Sequence, residues 1–258
     1  IALILMLGVV LFALTGCGGG SSTDEVVEQA KTYDVVFSVM NQAETPINDV
    51  ELYVNDEKLT KQGDYYSKKL TKGTHSFSVK DQNDRYFNYS SDFTISENEK
   101  RNIYLYGKIN QNYNLESQNK NYILNFNYPY DWEYTKSNNI IEFKLKDTEF
   151  PYYRIVFLEM TNAFDDSTLK EYIEYLKSDE SSNTIFEDNV LLKEGYINVD
   201  GRLAYEGTLE GDNTKLKLLV GYYKDTTYQV FYKDNSSVFD YNIFIYEGLR
   251  NSLKAKEN

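Results

Sequence analysis

Cysteine and histidine are almost absent from the sequence, which contains one of each, Cys17 and His75. A single cysteine cannot form a disulfide within the chain, and a zinc site needs three or four protein ligands. A Ser-His-Asp triad would have to use His75, and no Gly-x-Ser-x-Gly motif is present. We therefore expect no metal centre, no cofactor and no catalytic residue. We interpret His75 as a half-buried strand residue on the same face as Phe77 and Val79.

Basic residues are scarce relative to acidic ones, with 27 lysines and arginines against 40 aspartates and glutamates and a net charge of −13. This charge argues against nucleic acid and anionic lipid headgroups as main partners, because both repel an acidic surface. The chain has three prolines, while its 25 tyrosines and 14 phenylalanines favour strands over helices. No motif pairs two carboxylates for hydrolysis, so we expect the acidic residues to be solvated surface charge.

The N-terminal apolar run, residues 1–14, is short for a membrane span. As a helix it is about 20 Å long, against a hydrocarbon core of roughly 30 Å, but its length suits a signal peptide. It ends in Leu14-Thr15-Gly16-Cys17, which resembles the lipobox of bacterial lipoproteins. The resemblance implies that signal peptidase recognises Leu14, Thr15 and Gly16, that cleavage precedes Cys17, and that the Cys17 sulfur carries a diacylglycerol. A structural cysteine after a buried helix is the alternative.

Such a lipid would hold the protein at the extracytoplasmic face of the cell membrane, because two acyl chains at about 0.8 kcal/mol per buried methylene anchor firmly. Residues 18–22 are all glycine or serine and predict a flexible tether. A phosphate-binding loop is the alternative, but no strand precedes these residues and no Lys-Ser/Thr pair follows them. We expect a signal peptide at 1–16 and the lipidated tether at 17–32.

Residues 33–108 alternate apolar and polar positions in short runs between polar turns, which is typical of a β-sandwich. The runs are residues 35–39, 50–54, 65–70, 75–79, 93–95 and 103–105. Stretches 45–50, 63–65 and 70–79 resemble the carboxypeptidase-regulatory or transthyretin-like module, with its Gly-x-aromatic and Leu-x-x-Gly sequences before strands. The resemblance implies an all-β, Ig-like or transthyretin-like sandwich that serves as a spacer or binding platform.

Residues 109–120 are rich in asparagine and glutamine without strong periodicity, so we expect a linker between two domains there. In the second domain, 121–258, a capping box at Thr168 and Glu171 predicts a helix, and a last helix is predicted over 237–254. The predicted strands are 123–126, 140–145 and 154–158, followed by an antiparallel meander of 190–196, 202–209, 215–223 and 227–232.

This order of elements resembles the PsbP-like fold, an α/β/α sandwich with an antiparallel sheet. The residues that carry the resemblance are 128–132, 167–172, 200–205 and 249–253. The resemblance implies an α+β domain that acts by binding other proteins and has no catalytic role.

Two features of this second domain leave alternatives open. Its densest aromatic group indicates either core packing beneath a helix or an exposed platform for a glycan or protein. The members of that group are Tyr128, Tyr130, Trp132 and Tyr134. Calcium needs only oxygen ligands, which the acidic pairs 165–166 and 212–213 offer, although the EF-hand spacing is absent.

The sequence therefore predicts a multi-domain, non-catalytic, membrane-anchored lipoprotein that displays a PsbP-like domain to bind a protein or an envelope component. Two other classes stay open: a carboxylate-dependent hydrolase of wall or extracellular polymers, and a solute-binding lipoprotein of a transporter. A deep cleft with two close, partly buried carboxylates would favour the hydrolase. A flat aromatic patch on the second domain would favour partner binding.

Overall fold

The computed structural model describes residues 30–117, 120–160, 163–178, 181 and 185–258. The predicted signal peptide, the lipobox residues Leu14, Thr15, Gly16 and Cys17, and most of the predicted tether lie outside these ranges. Residues Thr32–Asn258 belong to one unit. Within the described ranges, no helix combines the length and the apolar character needed to cross a membrane.

The N-terminal part is a β-sandwich of two four-stranded sheets, with strand orders β4-β5-β1-β8 and β3-β2-β6-β7. The strands are β1 (Thr32–Asn41), β2 (Val50–Val54), β3 (Glu57–Lys58), β4 (Lys61–Gln62), β5 (Tyr65–Thr71), β6 (Gly73–Asp81), β7 (Tyr89–Ile95) and β8 (Glu99–Leu105). β1 pairs with β8 in parallel, and the other pairs are antiparallel. All six predicted runs lie within these strands, so the sandwich prediction is confirmed.

The alternation of β1 shows why this segment folds as a sandwich. Val35, Phe37 and Val39 are at most 1% exposed, while the residues between them are only partly covered. The other sheet contributes Leu52 and Val79 to the same core. Burying each of these side chains stabilises the fold by about 1.5–3 kcal/mol.

His75 is half-buried on β6, as predicted. Its Nδ1 lies 2.9 Å from the Asn55 side-chain amide, and its Nε2 lies 2.9 Å from the carbonyl oxygen of Thr71. The ring therefore joins two neighbouring turns.

The C-terminal part combines strands with two helices. Its elements are β9 (Ile109–Glu116), β10 (Tyr122–Pro129), β11 (Trp132–Ser137), β12 (Ile140–Leu145), β13 (Tyr152–Glu159), α1 (Asp166–Lys177), β14 (Val190–Val199), β15 (Arg202–Gly211), β16 (Thr214–Tyr223), β17 (Thr226–Asn235), α2 (Phe239–Ser252) and β18 (Lys254–Glu257). A seven-stranded sheet has the order β11-β12-β13-β17-β16-β15-β14, and a three-stranded sheet has the order β18-β10-β9. Both sheets are antiparallel, and the predicted meander is confirmed as β14 to β17.

The two helices cover opposite faces of the seven-stranded sheet. On one face, Leu169, Ile173 and Leu176 of α1 pack in a cluster that includes Leu218 and Phe231. On the other face, α2 and the three-stranded sheet share a second cluster with the sheet. Because β13, β15, β16 and β17 send side chains to both clusters, both faces of the central part of the sheet are apolar.

An ionic network ties α2 to the seven-stranded sheet. The Glu206 carboxylate on β15 accepts hydrogen bonds from the Tyr246 hydroxyl at 2.7 Å and from Arg250 Nη1 at 2.9 Å, and Lys217 Nζ lies 3.1 Å from it. Burial raises the pKa of Glu206, but these hydrogen bonds and the charge of Lys217 together hold it below its usual value. The ionised form is therefore the one that the fold selects.

The structure differs from the predictions at the supposed linker and at the C-terminus. Residues 109–120 contain β9, whose Ile109, Tyr113 and Leu115 face the core while asparagines face outward. The last helix ends at Ser252 instead of continuing to residue 254, and β18 then pairs with β10. The division into domains at this segment stays a prediction.

The cap of α1 also differs from the predicted capping box. Asp165 is the N-cap residue, and its carboxylate accepts hydrogen bonds from the backbone N–H groups of Ser167 and Thr168 at 3.0 and 2.9 Å. The Thr168 hydroxyl donates to the same carboxylate at 2.9 Å. A carboxylate three residues upstream therefore takes the role expected of Thr168, because it reaches two free N–H groups at once.

Candidate functional site

An open groove of about 350 Å³ lies where the sandwich meets α2. β7 and β8 are edge strands of the two sandwich sheets, so the groove opens at one edge of the sandwich. We call it the tyrosine groove, after four of the residues that line it: Tyr89 on β7, Tyr104 on β8, Tyr106 just after β8, and Tyr241 in the first turn of α2.

Three of these tyrosines offer much of their rings to solvent. Tyr241 is 65% exposed, Tyr89 is 42% exposed and Tyr104 is 38% exposed. Tyr106 is half-buried because its ring packs on Tyr241 and Phe244, at centroid distances of 5.8 and 5.4 Å. Burial is the main cause that raises the pKa of Tyr106 to about 12, and the nearby Tyr241 and Asp234 raise it further. Its hydroxyl is therefore a neutral hydrogen-bond donor at physiological pH.

The polar groups of the groove carry little free positive charge. The Arg101 guanidinium donates through Nε to the Glu99 carboxylate at 2.8 Å and lies 4.8 Å over the Phe93 ring. Asp92 and Asn102 line the groove as exposed side chains. The groove thus combines aromatic faces with neutral and acidic polar groups.

A second hollow of about 420 Å³ lies on the outer face of β2, β6 and β7. We call it the serine hollow, because Ser76, Ser78, Ser90 and Ser91 line it together with Asp56 and Tyr53. Phe77, Ser91 and Asp92 line both hollows at the edge of the sheet. Because Phe77, Tyr89 and Ser91 point to the inner face of the sheet, whereas residues 76, 78, 90 and 92 point to its outer face, the two hollows lie on opposite sides of the edge strand β7.

A small closed cavity lies next to the groove and shares Gln42 and Tyr106 with it. Its volume of about 20 Å³ is room for a single water molecule. Both carboxylate oxygens of Asp131 and the Oδ1 of Asn242 are covered there without a hydrogen-bond partner in the protein. Burial raises the pKa of Asp131 to about 6. Gly107 packs so closely on this carboxylate that a Cβ would overlap it.

The closed cavity does not have the geometry of a hydrolytic site. A polymer segment is far larger than a space for one water molecule, so it cannot reach Asp131. The nearby Asp234 carboxylate is 1% exposed and accepts hydrogen bonds from Asn242 Nδ2 at 2.7 Å and from the Tyr232 hydroxyl at 3.0 Å. Asp234 is therefore a structural acceptor that holds α2 on β17.

The aromatic group singled out in the sequence is divided between the core and the surface. Trp132 on β11 is buried in the cluster that joins the sheet to α2, and Tyr128 packs against the same cluster, with its ring 4.6 Å from Phe143. Tyr134 also packs on Phe143, at 5.6 Å, but is 48% exposed. Tyr130 is 39% exposed and contacts Tyr86. Core packing therefore describes Trp132 and Tyr128, while the two exposed rings pack on different neighbours.

One of the two predicted calcium-ligand pairs is engaged in the fold. Asp165 caps α1, and Asp166 accepts a hydrogen bond from the Tyr222 hydroxyl at 2.8 Å. The other pair, residues 212–213, lies in the exposed turn between β15 and β16. In the described part of the chain, no group of three or more histidine, cysteine, aspartate or glutamate side chains could hold a metal ion.

The tyrosine groove was not predicted from the sequence. One signal was present, because Tyr104 occupies an outward position on β8, whose Ile103 and Leu105 point inward. Tyr89 gives no such signal, because it lies on the same face of β7 as the buried Phe93 and Ile95. With 25 tyrosines in the chain, Tyr104 did not stand out. The lipobox residues Leu14, Thr15, Gly16 and Cys17 lie outside the described residues and stay a prediction.

No protein-family model matches this sequence, and no curated protein matches it. Solved structures do match. One is the solution structure of cyanobacterial PsbP (CyanoP) from Synechocystis sp. PCC 6803, at 13% identity and a TM-score of 0.44, covering 58% of this chain and 95% of that one. Another is a crystal structure from Bacteroides thetaiotaomicron VPI-5482, at 13% identity and a TM-score of 0.36, covering 58% of this chain and 49% of that one. The chain is thus similar to a solved PsbP over part of its length.

Proposed function

We propose that this chain is a non-catalytic extracytoplasmic lipoprotein, held at the cell membrane by lipid on Cys17, that binds a protein or an envelope component. The lipobox sequence supports the anchoring. The tyrosine groove supports the binding role, because an open groove with exposed aromatic rings is typical of a recognition surface.

The groove also bears on which part of the chain binds. The sequence led us to expect the partner on the PsbP-like domain. The groove walls come from the sandwich strands β7 and β8 and from Tyr241 of α2. Both parts of the chain therefore contribute to the proposed binding surface.

The position of the Asp131 carboxylate favours a binding role over a hydrolytic one. A glycosidase needs a general acid that touches the scissile bond. Asp131 has the raised pKa of such an acid, but it lies in the closed cavity beside the groove. We therefore assign Asp131 no catalytic role.

Anchoring is tested by replacing Cys17 with alanine and following the protein in its own cells. The parent protein should incorporate labelled palmitate and sediment with membranes, and Cys17→Ala should do neither. A Cys17→Ala protein that stays with the membrane fraction would contradict the proposed anchor.

Binding is tested by crosslinking the anchored protein to its surroundings on intact cells. The parent protein should capture an envelope component, and Tyr241→Ala should not. Tyr65→Ala is the matched control, because Tyr65 is a 42% exposed tyrosine outside the groove. Equal capture by all three proteins would contradict the role of the groove.

A further inference from the structure

A hollow of about 490 Å³ lies on the face of the seven-stranded sheet against which α1 packs. We call it the sheet hollow, and its walls include Arg154 of β13, Leu216 of β16, Phe231 and Lys233 of β17, and Asp188 in the segment before β14. The described residues that line it are different from those that line the tyrosine groove. We propose that the sheet hollow binds a small organic acid with one carboxylate and an apolar body. This inference is independent of the function proposed above.

The register of the sheet places the cations and the apolar side chains of the hollow on one face. Phe231 pairs with Arg154 across β17 and β13. Lys233, two residues further along β17, pairs with Leu216 of β16. Residues that pair directly across two strands point to the same side of the sheet, as do residues two positions apart on one strand. Arg154 and Lys233 are therefore diagonal neighbours, and the Cα atoms of such neighbours are about 7–8 Å apart.

The two cations of the sheet hollow receive little compensation from the protein. The Arg154 guanidinium has the Glu142 carboxylate as its ion-pair partner, at a distance of 3.6 Å that is too long for a hydrogen bond. The Lys233 ammonium lies 5.6 Å from the centre of the Phe150 ring and has neither a carboxylate nor a hydrogen-bond acceptor as a partner among the described residues. Both groups can therefore donate hydrogen bonds to a bound anion without first giving up an internal one.

The charge balance of the sheet hollow indicates a single carboxylate. Asp188 also lines the hollow and Glu142 lies beside Arg154, so the surplus of positive charge is at most one unit. A carboxylate carries one negative charge, and its two oxygens match the N–H groups of a guanidinium. A phosphate monoester carries nearly two negative charges at neutral pH. It would bring unbalanced negative charge next to both acidic side chains.

The floor of the sheet hollow is apolar and can cover the body of the ligand. Phe231 is 8% exposed and Leu216 is 6% exposed. Ile140 and Val156, which also line the hollow, are half-buried. The volume of about 490 Å³ lies within the range of ligand sites, roughly 300–1,000 Å³. Because these side chains lie beside the cations, one small molecule can reach both with its carboxylate and its hydrocarbon part.

A second copy of this chain is a less suitable occupant of the sheet hollow. A symmetric dimer places the same patch of both chains face to face. Two concave patches leave a void between them, and the cations of both chains would be brought together. A small ligand avoids both costs, because it fills the hollow and carries the opposite charge.

The experiment is a titration of the full chain, purified in detergent, followed by saturation-transfer NMR of the added compound. The probes are 3-phenylpropionate and 3-cyclohexylpropionate, compared with acetate, 3-phenylpropanamide and 2-phenylethyl phosphate. We expect both larger carboxylates to bind with a dissociation constant on the order of 0.1–1 mM, and the three comparison compounds to bind at least about tenfold more weakly. Failure of both carboxylates to bind, equal binding of the amide, or tighter binding of the phosphate would overturn the proposal.

Four variants locate the binding and separate it from uptake by the detergent. Lys233→Met and Arg154→Met remove one charge each and should weaken the binding of 3-phenylpropionate by about tenfold, the equivalent of one charged hydrogen bond. Asp188→Asn should tighten it, because a repelling charge is removed. Lys100→Met, which removes an exposed lysine on β8, is the matched control and should bind like the parent. Thermal unfolding at the parent temperature shows that each variant is folded. Parent-like binding by both Lys233→Met and Arg154→Met would contradict the assignment to the hollow.

A photoreactive carboxylate locates the ligand without any substitution. A trifluoromethyl-diazirinyl benzoate, irradiated with the full chain and mapped by mass spectrometry, should label peptides from β13, β16 and β17. An excess of 3-phenylpropionate should reduce that labelling. If these three strands stay unlabelled, or if the excess of carboxylate leaves the labelling unchanged, the proposed site is wrong, whatever crosslinking on cells shows for the tyrosine groove.

Discussion

Replacing Asp131 with asparagine should change how stability depends on pH. The two carboxylate oxygens of Asp131 are covered and have no partner in the protein, and burial raises its pKa from 3.8 to about 6. Asparagine has nearly the same shape and carries no charge at any pH. The variant therefore removes the ionisation and keeps most of the packing.

The magnitude follows from the two pKa values. The difference between 3.8 and about 6, at about 1.36 kcal/mol per pKa unit, corresponds to about 3 kcal/mol. Between these values the folded protein keeps a proton on Asp131 that the unfolded chain has released. The stability that depends on the neutral carboxyl is complete well below pH 3.8 and is lost as the pH rises through about 6. The free energy of unfolding of Asp131→Asn, minus that of the parent, should therefore increase by about 3 kcal/mol between about pH 3 and about pH 7.5.

Urea unfolding followed by the fluorescence of Trp132 measures this difference at each pH. Trp132 is the single tryptophan of the chain and is 6% exposed, so unfolding changes its surroundings. The other carboxylates titrate in both proteins and cancel in the subtraction. Asp64→Asn, in an exposed turn, is the control for replacing an aspartate with asparagine as such. A difference between Asp131→Asn and the parent that does not vary with pH would refute the reasoning.

Three further substitutions test the packing of the C-terminal part. Glu206→Gln should lower the free energy of unfolding in urea by about 1–3 kcal/mol, because it leaves the partly buried Lys217 and Arg250 without their counter-charge. A loss under about 0.5 kcal/mol would show that the network contributes little to stability. Gly221→Ala should cost about 1–3 kcal/mol in the same assay, because its methyl group overlaps the Tyr228 ring; a stabilised variant would contradict this contact. Asp165→Ala should lower the midpoint of thermal unfolding by about 2–4 °C, and Glu171→Ala should leave it nearly unchanged. A larger decrease for Glu171→Ala than for Asp165→Ala would instead support the capping box predicted from the sequence.

Local periodicity was sufficient to predict most of the sheet strands. The runs 35–39 and 50–54 alternate strictly, and the pleat of a strand sends their apolar residues to one side. The meander β14 to β17 was predictable for a different reason, because turn residues such as Asp200 and Gly201 separate its strands. Both signals act over a few residues, which is the range within which a sequence pattern is reliable.

Periodicity failed where the stabilising contacts are distant in sequence. The segment of β9 predicts a linker because its outward positions are mostly asparagines, which are poor strand formers. Asn112 and Asn114 on β9 exchange side-chain hydrogen bonds with Asn125 and Asn127 on β10, at 2.8–3.1 Å. This ladder exists only once the two strands are paired. β18 gives no local signal either, since its residues are mostly charged and its partner lies far upstream.

The candidate site was unpredictable for the same physical reason. The tyrosine groove brings together residues that are up to about two hundred positions apart, from Gln42 to Tyr241. The covered carboxylate of Asp131 depends on the close approach of Gly107, which no pattern around residue 131 records. A sequence can therefore show that a tyrosine is exposed, because the tyrosine interrupts the alternation of apolar and polar residues along a strand. The surface to which that tyrosine contributes depends on the completed fold.

The groove exists because α2 is docked against the sandwich. Phe244 packs on Phe87 at 5.8 Å and on Tyr106 at 5.4 Å, and these contacts hold the first turn of α2, with Tyr241, at the edge of β8. Tyr106 therefore has two tasks, since it supports the helix and also lines the groove. If the two parts separated, Tyr241 would leave the tyrosine groove, and the proposed binding surface would lose one of its exposed aromatic rings. The contacts between the sandwich and α2 are for this reason as necessary to the proposed binding as the exposed tyrosines themselves.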